Sequence, residues 1–140
     1  MDLNSLEYAT LRGEQNGCPI TYRCIKDPKE LKELFTHRIG IFWPYESTSN
    51  GLAPGDVNEL QNKFEDAIDV LESEEQGILS LVVFGGGRKE WHWYVKDINE
   101  WMNNFNEILS SHKQYPLQIE FTENDNWGYH NAFIKWAKIA

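Results

Sequence analysis

The sequence has few of the residues that mark cross-linked, exported or membrane-spanning proteins. It contains only two cysteines, Cys18 and Cys24, and their spacing matches no metal-binding motif. No apolar run approaches the roughly 20 residues that a transmembrane helix needs. The N-terminal stretch MDLNSLEYAT lacks the basic start and apolar segment of an export signal. We therefore expect a cytoplasmic protein that does not enter a membrane and whose cysteines are free thiols.

Positive charge is also scarce. The chain carries 13 Lys and Arg against 22 Asp and Glu, for a net charge of −9, and no run of basic residues is present. Binding to nucleic acids depends largely on neutralising phosphates, so this balance argues against DNA, RNA and anionic membranes as partners. It is compatible with a small ligand or with a basic partner protein.

Apolar and aromatic residues are present in the amounts that a compact core needs. Of the 140 residues, 41% are hydrophobic and 14% are aromatic, and six are Trp. We expect one domain over residues 1–140, which can bury a core without disulfides or metal. Its predicted parts are an N-terminal hairpin with a short helix (1–37), a core (38–122) and a C-terminal helix (123–140).

Alternating apolar residues and turn signals predict six strands. The first two surround a turn at Gln15-Asn16-Gly17, and the other four belong to the core. The predicted ranges are 6–13, 19–26, 38–45, 78–84, 90–95 and 117–122, and in the last of these Leu117, Ile119 and Phe121 are expected to point inward.

Four helices are predicted between these strands, each with a capping signal. Asp27 is expected to cap a short helix from Lys29 to Phe35. A second helix begins at Asp56, with Glu59 completing a capping box, and ends at Gly77. Asp97 caps a third, and Asn124 or Asp125 a terminal helix over 125–139. The apolar stripes of the two core helices are Val57, Leu60, Phe64, Ala67, Ile68 and Leu71, then Ile98, Trp101, Phe105, Ile108 and Leu109.

The order of the core elements is β-α-β-β-α-β, which is the ferredoxin-like plan. The predicted fold class is therefore α+β, with an antiparallel sheet, an added N-terminal β-hairpin and a C-terminal helix.

The stretch FGGGRKEWHWYVKD, residues 84–97, combines three glycines with charged and aromatic residues. A phosphate-binding glycine loop is followed by a helix, whose N–H groups meet the anion. Here a strand pattern follows Gly85, Gly86 and Gly87. We therefore predict a hairpin, in which glycine supplies positive φ angles.

Alternation along the strand after this hairpin separates two sets of side chains. Trp91, Trp93 and Val95 are expected to face the helices. Arg88, Glu90, His92 and Tyr94 would then form a polar row on an open sheet face. That row could dock a partner, serve a catalytic site with His92 as general base, or merely solvate the sheet.

Metal and cofactor signals are absent from the sequence. The four histidines, His37, His92, His112 and His130, occur singly, without a paired-ligand spacing. His112, near a helix end, fits a partner for the helix dipole. No G-x-S-x-G nucleophile motif and no Walker pattern occur, so we predict no metal and no cofactor.

Acidic residues on the second helix form its polar face: Glu65, Asp66, Asp69, Glu72 and Glu75. Such a face usually contacts only solvent. The alternative is a docking face on which Glu65, Asp69 and Glu72 steer a basic partner.

Several pieces in order resemble the bacterial domain of unknown function numbered six hundred and ninety-five. They are TYRC (21–24), IGIFWPY (39–45), NGLAP (50–54), ELQNKFEDAI (59–68), GGGRKEWHWYVKD (85–97) and DNWGYHNAF (125–133). The resemblance implies a fold similar to the regulator of ribonuclease activity B, an acidic ferredoxin-like protein that binds an enzyme. It implies no reaction. Its most pattern-like positions here are Arg88, Glu90, Tyr94, Asp125 and Trp127; Tyr129 comes one position before the family's Tyr.

These patterns favour a small protein-binding or regulatory module over an enzyme. It would use the polar row, Asp125 and Trp127, and the acidic helix face. An immunity protein against a basic toxin is one form of this hypothesis. The alternatives are a hydrolase-like enzyme in which His92, Glu90 and Arg88 act together, RNA stacking on the sheet, and a homodimer formed through the open face.

Overall fold

The computed structural model describes residues 3–139. Within them the chain forms six strands, four helices and two short 3₁₀ turns. The strands are β1 Tyr8–Gln15, β2 Cys18–Ile25, β3 His37–Pro44, β4 Gly77–Gly85, β5 Arg88–Val95 and β6 Gln118–Thr122. The helices are α1 Leu31–Leu34, α2 Gly55–Ile68, α3 Ile98–Leu109 and α4 Gly128–Ala137, and the 3₁₀ turns are Leu3–Ser5 and Asp69–Leu71.

All six strands belong to one antiparallel sheet with the order β1-β2-β4-β5-β3-β6. The N-terminal hairpin joins the core because β2 pairs with β4. A register shift between Leu79 and Leu81 interrupts the β4–β5 ladder. The predicted α+β class with an antiparallel sheet is therefore confirmed.

One face of the sheet packs against α2 and α3. Trp91 and Trp93 of β5 lie there, and both are fully buried. Phe64 and Ile68 of α2 and Trp101 and Phe105 of α3 complete the core, as their apolar stripes predict. The indoles therefore lie on the covered side of the sheet, as expected.

The opposite face is not bare. Leu6, α1 and the segment leading into α4 form a second apolar cluster on it. Its members are Leu6, Ile25, Leu31, Phe35, Ile78, Tyr94 and Trp127. The expectation of an open sheet face is wrong here, because Trp127 lies over Tyr94 and brings the C-terminal helix onto the sheet.

Two predicted helix ends differ from the structure. Asp27 accepts a hydrogen bond from the backbone N–H of Lys29 (2.9 Å) within a turn, and α1 begins only at Leu31. Helix α2 follows Pro54 without a side-chain cap, so the capping box at Asp56 is wrong.

The second helix also ends earlier than predicted. It stops at Ile68 and continues only as a 3₁₀ turn to Leu71. Gly77 instead begins β4, where a Cβ atom would lie 2.7 Å from the backbone oxygen of Tyr94. The cap at Asp97 is confirmed, since it accepts a hydrogen bond from Glu100 N–H (2.9 Å).

Strand β6 lies at one edge of the sheet. Ile119 packs against the main core, but Phe121 is 52% exposed. The prediction that Phe121 points into the core is wrong, because it lies on the edge strand and lines an open groove beside α3. None of the helices within residues 3–139 is both long and apolar enough to cross a membrane.

Candidate functional site

The three glycines form the turn between β4 and β5. Gly85, Gly86 and Gly87 have φ angles of +128°, +63° and +89°. Arg88 begins a strand directly after them, so the predicted hairpin is confirmed. The turn is also tied to the preceding loop, since Gly87 N–H donates to the Gly51 oxygen (3.1 Å).

The predicted polar row continues along β5 from this turn, but most of it is covered. His92 and Tyr94 are 0% exposed. The Tyr129 ring stacks on His92 at 4.5 Å between centroids, and Trp127 stacks on Tyr94 at 4.0 Å. The expectation that these two side chains lie in an open row is therefore wrong, because aromatic residues at the start of α4 cover them.

Hydrogen bonds connect the polar side chains beneath α4 in one line. Arg88 Nη2 donates to Glu90 Oε2 (3.0 Å), and Glu90 Oε1 lies 3.1 Å from His92 Nε2. On its other side, His92 Nδ1 lies 3.1 Å from Arg38 Nη1. Arginine can only donate, so Nδ1 accepts and the proton of neutral His92 is on Nε2, directed at Glu90.

Burial and neighbouring charges fix the ionisation of this line. Burial lowers the pKa of His92, and the opposing attraction of Glu90 does not restore it. Burial alone would raise the pKa of Glu90, but its contacts with His92 and Arg88 outweigh this and lower it. The line therefore holds a charged Glu90 between a neutral imidazole and a guanidinium.

Asp125 fixes the start of α4 above the sheet. It accepts hydrogen bonds from the Tyr94 hydroxyl and from the backbone N–H of Tyr129 (3.2 Å), and its Oδ1 lies 3.8 Å from Arg38 Nε. Burial, with a smaller effect from Asp125, raises the pKa of Tyr94. The terminal helix begins at Gly128 with Trp127 as its N-cap, so the prediction that Asn124 or Asp125 caps a helix starting at 125 is wrong, although Asp125 still accepts the Tyr129 N–H. Trp127 donates its indole N–H to the Phe35 oxygen (2.7 Å).

Arg88 and Glu90 reach a cleft between the N-terminal hairpin and α4. Its volume is about 280 Å³. Tyr22, Tyr129 and Phe133 supply aromatic walls. The other lining residues are Gln15, Ile20, Leu81, Val83, Gly85 and Gly86. The structure thus brings Arg88 and Glu90 into a concave site, while His92 lies beneath Tyr129 and Asp125, Trp127 and Tyr94 lie outside the cleft lining.

An aromatic surface adjoins the cleft, formed by Tyr22, Tyr129, Phe133 and Trp136. Tyr129 is 39% exposed and Trp136 is 66% exposed. Tyr22 contacts Phe133 and Trp136, with ring centroids 5.4 and 5.6 Å apart. The sequence hypotheses do not include Tyr22, Phe133 or Trp136 in a site, although the α4 members of this surface recur at helical spacing.

Arg38 also takes part in the site, and the sequence hypotheses do not include it. Its guanidinium bonds to His92 and Thr122, and it lies 4.4 Å from the Tyr129 ring centroid. One sequence feature could have indicated this role. Arg38 lies on β3 two residues before Gly40, and Gly40 pairs with His92. A Cβ on Gly40 would lie 3.0 Å from the Arg38 guanidinium, so glycine leaves it room.

The acidic residues predicted on the second helix are less free than the sequence indicates, and Glu72 and Glu75 follow its 3₁₀ extension instead of lying on the helix. Glu65 accepts a hydrogen bond from the Trp91 indole (2.8 Å) and also contacts Arg23 and Lys89. Glu72 accepts one from Leu79 N–H (3.0 Å), and burial raises its pKa. Asp69 is exposed, so steering of a partner by this face remains a prediction that depends on Asp69.

The histidines make separate contacts. His37 accepts a hydrogen bond from Asn124 N–H, His112 contacts the Tyr115 hydroxyl, and His130 contacts Ser80. Across residues 3–139, no three His, Cys, Asp or Glu side chains form a group that could hold a metal ion.

The arrangement determines what a molecule in the cleft can meet. Both ring nitrogens of His92 have partners, and Tyr129 covers the ring. A ligand would therefore contact the half-exposed Arg88 guanidinium, the Glu90 carboxylate and aromatic rings. This combination suits recognition of a group that is part apolar and part anionic.

Comparison with known sequences gives a family without an assigned role. A model described as "Family of unknown function (DUF695)" matches residues 12–134, which include all of β2 to β6 and most of α4. No curated protein matches the chain.

Proposed function

Because the chain belongs to the family of unknown function DUF695, we propose a function from its cleft: a non-enzymatic protein-binding module. The cleft and the aromatic surface receive an apolar anchor side chain of a partner protein, and Arg88 meets a carboxylate beside it. The observation that carries the proposal is the exposure of Tyr129 and Trp136 next to a concave site that contains Arg88.

The residue types and the size of the site favour a protein partner. Interface residues that dominate binding energy are enriched in Trp, Tyr and Arg. Small-molecule sites usually have volumes of about 300–1,000 Å³, and the cleft, at about 280 Å³, lies just below this range. It is better suited to one inserted side chain, with the flat aromatic surface contacting the chain around it.

The cleft walls are held in place before any partner arrives. Glu90 bonds to Arg88, and Arg38 stacks on Tyr129. Such order reduces the entropy lost when a partner binds.

The fold and the charge are consistent with the same role. The order β4-β5-β3-β6, with α2 and α3 on one face, supports our proposal that these elements form a ferredoxin-like core, as the resemblance to the regulator of ribonuclease activity B implies. The net charge of −9 favours a basic partner, and a basic toxin is one such partner. The proposed setting is the bacterial cytosol, with Cys18 and Cys24 as free thiols.

Capture of partners by the immobilised protein tests the proposal. Trp136→Ala and Arg88→Gln are expected to weaken capture of a specific partner roughly 30-fold, the size of an interface hot spot. Val70→Ala is the matched control, because Val70 is equally exposed but lies on α2's 3₁₀ extension. If all three variants capture the partner as well as the wild type does, the cleft is not the binding site.

Electrostatic steering has its own test. Asp69→Lys is expected to slow association with a basic partner at low salt, since Asp69 is the exposed member of the predicted steering set. Unchanged association rates, or capture that does not depend on salt, would remove steering from the proposal.

An enzyme remains the second candidate, because Arg88, Glu90 and His92 are linked by hydrogen bonds at a concave site. In that case Glu90 would contact the substrate, and His92 would hold the Glu90 carboxylate in position. A hydrolase screen of the wild type, His92→Ala and Glu90→Gln distinguishes the two. Equal background rates favour the binding module, and a rate that both variants lose favours the enzyme.

A further inference from the structure

A second binding surface lies at the far edge of the sheet. We propose that the free edge of β6, together with the groove between β6 and α3, binds an extended basic segment of a partner protein as an added β-strand. This surface is separate from the cleft, and the proposal does not depend on the cleft's function.

The first support is the unpaired edge itself. Within residues 3–139, β6 pairs with β3 alone and ends the sheet. One side of its backbone therefore presents N–H and C=O groups without strand partners, and an extended chain can satisfy them. The strand QIEFT contains no proline that would prevent this pairing.

The second support is a groove beside the edge. It has a volume of about 480 Å³ and is lined by Phe121 of β6, by Ile98, Asn99 and Met102 of α3, and by His37, Lys96, Asp97 and Glu123. Phe121 is half exposed there, and Met102 lines the same groove. Side chains alternate along a strand, so every second residue of an added segment would point into this groove.

The third support is charge on the other side of β6. Glu120 pairs across the ladder with Gly40, which has no side chain, and Glu120 is exposed. No ion pair joins it to another residue of the described chain. A Lys or Arg opposite Glu120 on an added strand would supply the missing cation. The expected segment therefore alternates basic residues with apolar ones.

The same charge disfavours a second copy of this chain as the occupant. Glu120 is the central residue of β6. Two β6 strands centred on each other around a twofold axis would place their Glu120 side chains directly opposite, and like charges in that position are destabilising. The net charge of −9 on each copy adds to the repulsion.

The other sheet edge provides an internal comparison. Strand β1 is also an edge strand, but its exposed charges include both Arg12 and Glu14. Because these charges are of both signs, we do not expect β1 to favour a basic strand.

A peptide titration followed by NMR tests the proposal on the full-length protein. The probe is an end-capped peptide of about seven residues, a usual strand length, that alternates lysine and valine. Backbone amides of β6 should shift on titration, while those of β1 should not. Glu120→Lys and Phe121→Ala should each weaken binding up to about five-fold, the size of a cross-strand pair contribution.

Matched controls separate strand addition from simple charge attraction. Glu14→Lys on β1 changes the same charge and should leave affinity nearly unchanged, as should Arg88→Gln in the cleft. A peptide with proline at its centre and one that alternates glutamate and valine should both bind much more weakly. Melting curves of both β6 variants should match that of the wild type.

Three results would overturn the proposal. They are amide shifts on β1 or on neither edge, equal affinity for the proline peptide, and sedimentation that shows a dimer of the free chain that Glu120→Lys disrupts. In the last case, β6 binds a second copy of this chain instead.

Discussion

His130 is a buried titratable residue on α4. Its Nδ1 lies 2.8 Å from Ser80 Oγ, and its ring meets the edge of Trp127. Only 1% of the residue is exposed. Burial lowers its pKa to about 4, and the backbone of Ile25 and the charge of Asp27 oppose this only in part.

This burial predicts an acid-sensitive fold. The unfolded chain binds a proton at His130 near pH 6.5, but the folded chain does so only near pH 4. Between these values the unfolded state holds more protons, so the free energy of unfolding falls as pH decreases, by up to about 3 kcal/mol. The lowered pKa of His92 acts in the same direction.

Urea denaturation between pH 7 and pH 4 measures the effect. In His130→Gln, the free energy of unfolding should depend less on pH than in the wild type. The control His112→Gln should keep the wild-type dependence. Identical slopes for all three proteins would contradict the assignment to His130.

Tyr94 supports a second prediction at the scale of single residues. Its hydroxyl donates to the Asp125 carboxylate and accepts the backbone N–H of His130. Tyr94→Phe should therefore cost about 1.5–3 kcal/mol, the range for a hydrogen bond to a charged group. Tyr45→Phe is the control, because the Tyr45 hydroxyl donates to the neutral Gly51 oxygen (2.9 Å) and should cost about 1 kcal/mol. Urea denaturation measures both losses of unfolding free energy. Equal losses would contradict a stronger hydrogen bond from Tyr94 to the charged Asp125.

The contacts of single residues also show the limits of sequence analysis. The alternation of β5 correctly places Trp91 and Trp93 on one face and His92 on the other. It does not show that Tyr129 covers His92, since these residues are far apart in the chain. Nor does it show the contact of Arg38 with His92, which depends on the register of β3 against β5.

Among the elements, the β4–β5 turn is the most constrained. Gly85 has a φ of +128°, and a Cβ there would lie 2.5 Å from the backbone oxygen of Pro19 on β2. Gly17, in the β1–β2 turn, also has a positive φ, but a Cβ there would meet no atom within 4 Å. Both glycines have a positive φ, but only Gly85 is also closely packed against a neighbouring strand.

This contrast predicts unequal costs for the same substitution. Gly17→Ala should lower the free energy of unfolding by about 1–2 kcal/mol, because alanine disfavours the left-handed conformation. Gly85→Ala should lose about 3 kcal/mol or more, since backbone atoms of β2 must also move. Thermal denaturation of both variants measures the difference, and a loss at Gly85 no larger than at Gly17 would contradict it.

Elements defined by local patterns were predictable, and those defined by contacts were not. Alternation and turn residues identify all six strands and the glycine turn. Gly77 resembles a helix stop in sequence, but its role is the close approach of β4 to Tyr94. The cover over the second sheet face depends on Trp127, which has a φ of 66°, a conformation that residue type alone would not predict.

At the scale of the whole molecule, the N-terminal hairpin is part of one continuous sheet. β2 pairs with β4, and Ile25 of β2 lies in the same apolar cluster as Trp127. We therefore expect residues 3–139 to unfold as one cooperative unit. Circular dichroism in the far and near ultraviolet should give coincident transitions. Hydrogen exchange gives the free energy of opening for each amide. Values for β1 and β2 well below those for β5 would indicate that the hairpin unfolds as a separate unit.

The uneven distribution of the six indoles makes the chain its own optical reporter. Trp43, Trp91, Trp93, Trp101 and Trp127 are buried, and Trp136 alone is largely exposed. Iodide should therefore quench the red-shifted emission of Trp136 first, while the five buried indoles keep their blue-shifted emission. A partner seated on the cleft would shield Trp136 from the quencher, whereas a strand on β6 would not, so unlabelled protein can reveal which surface is occupied.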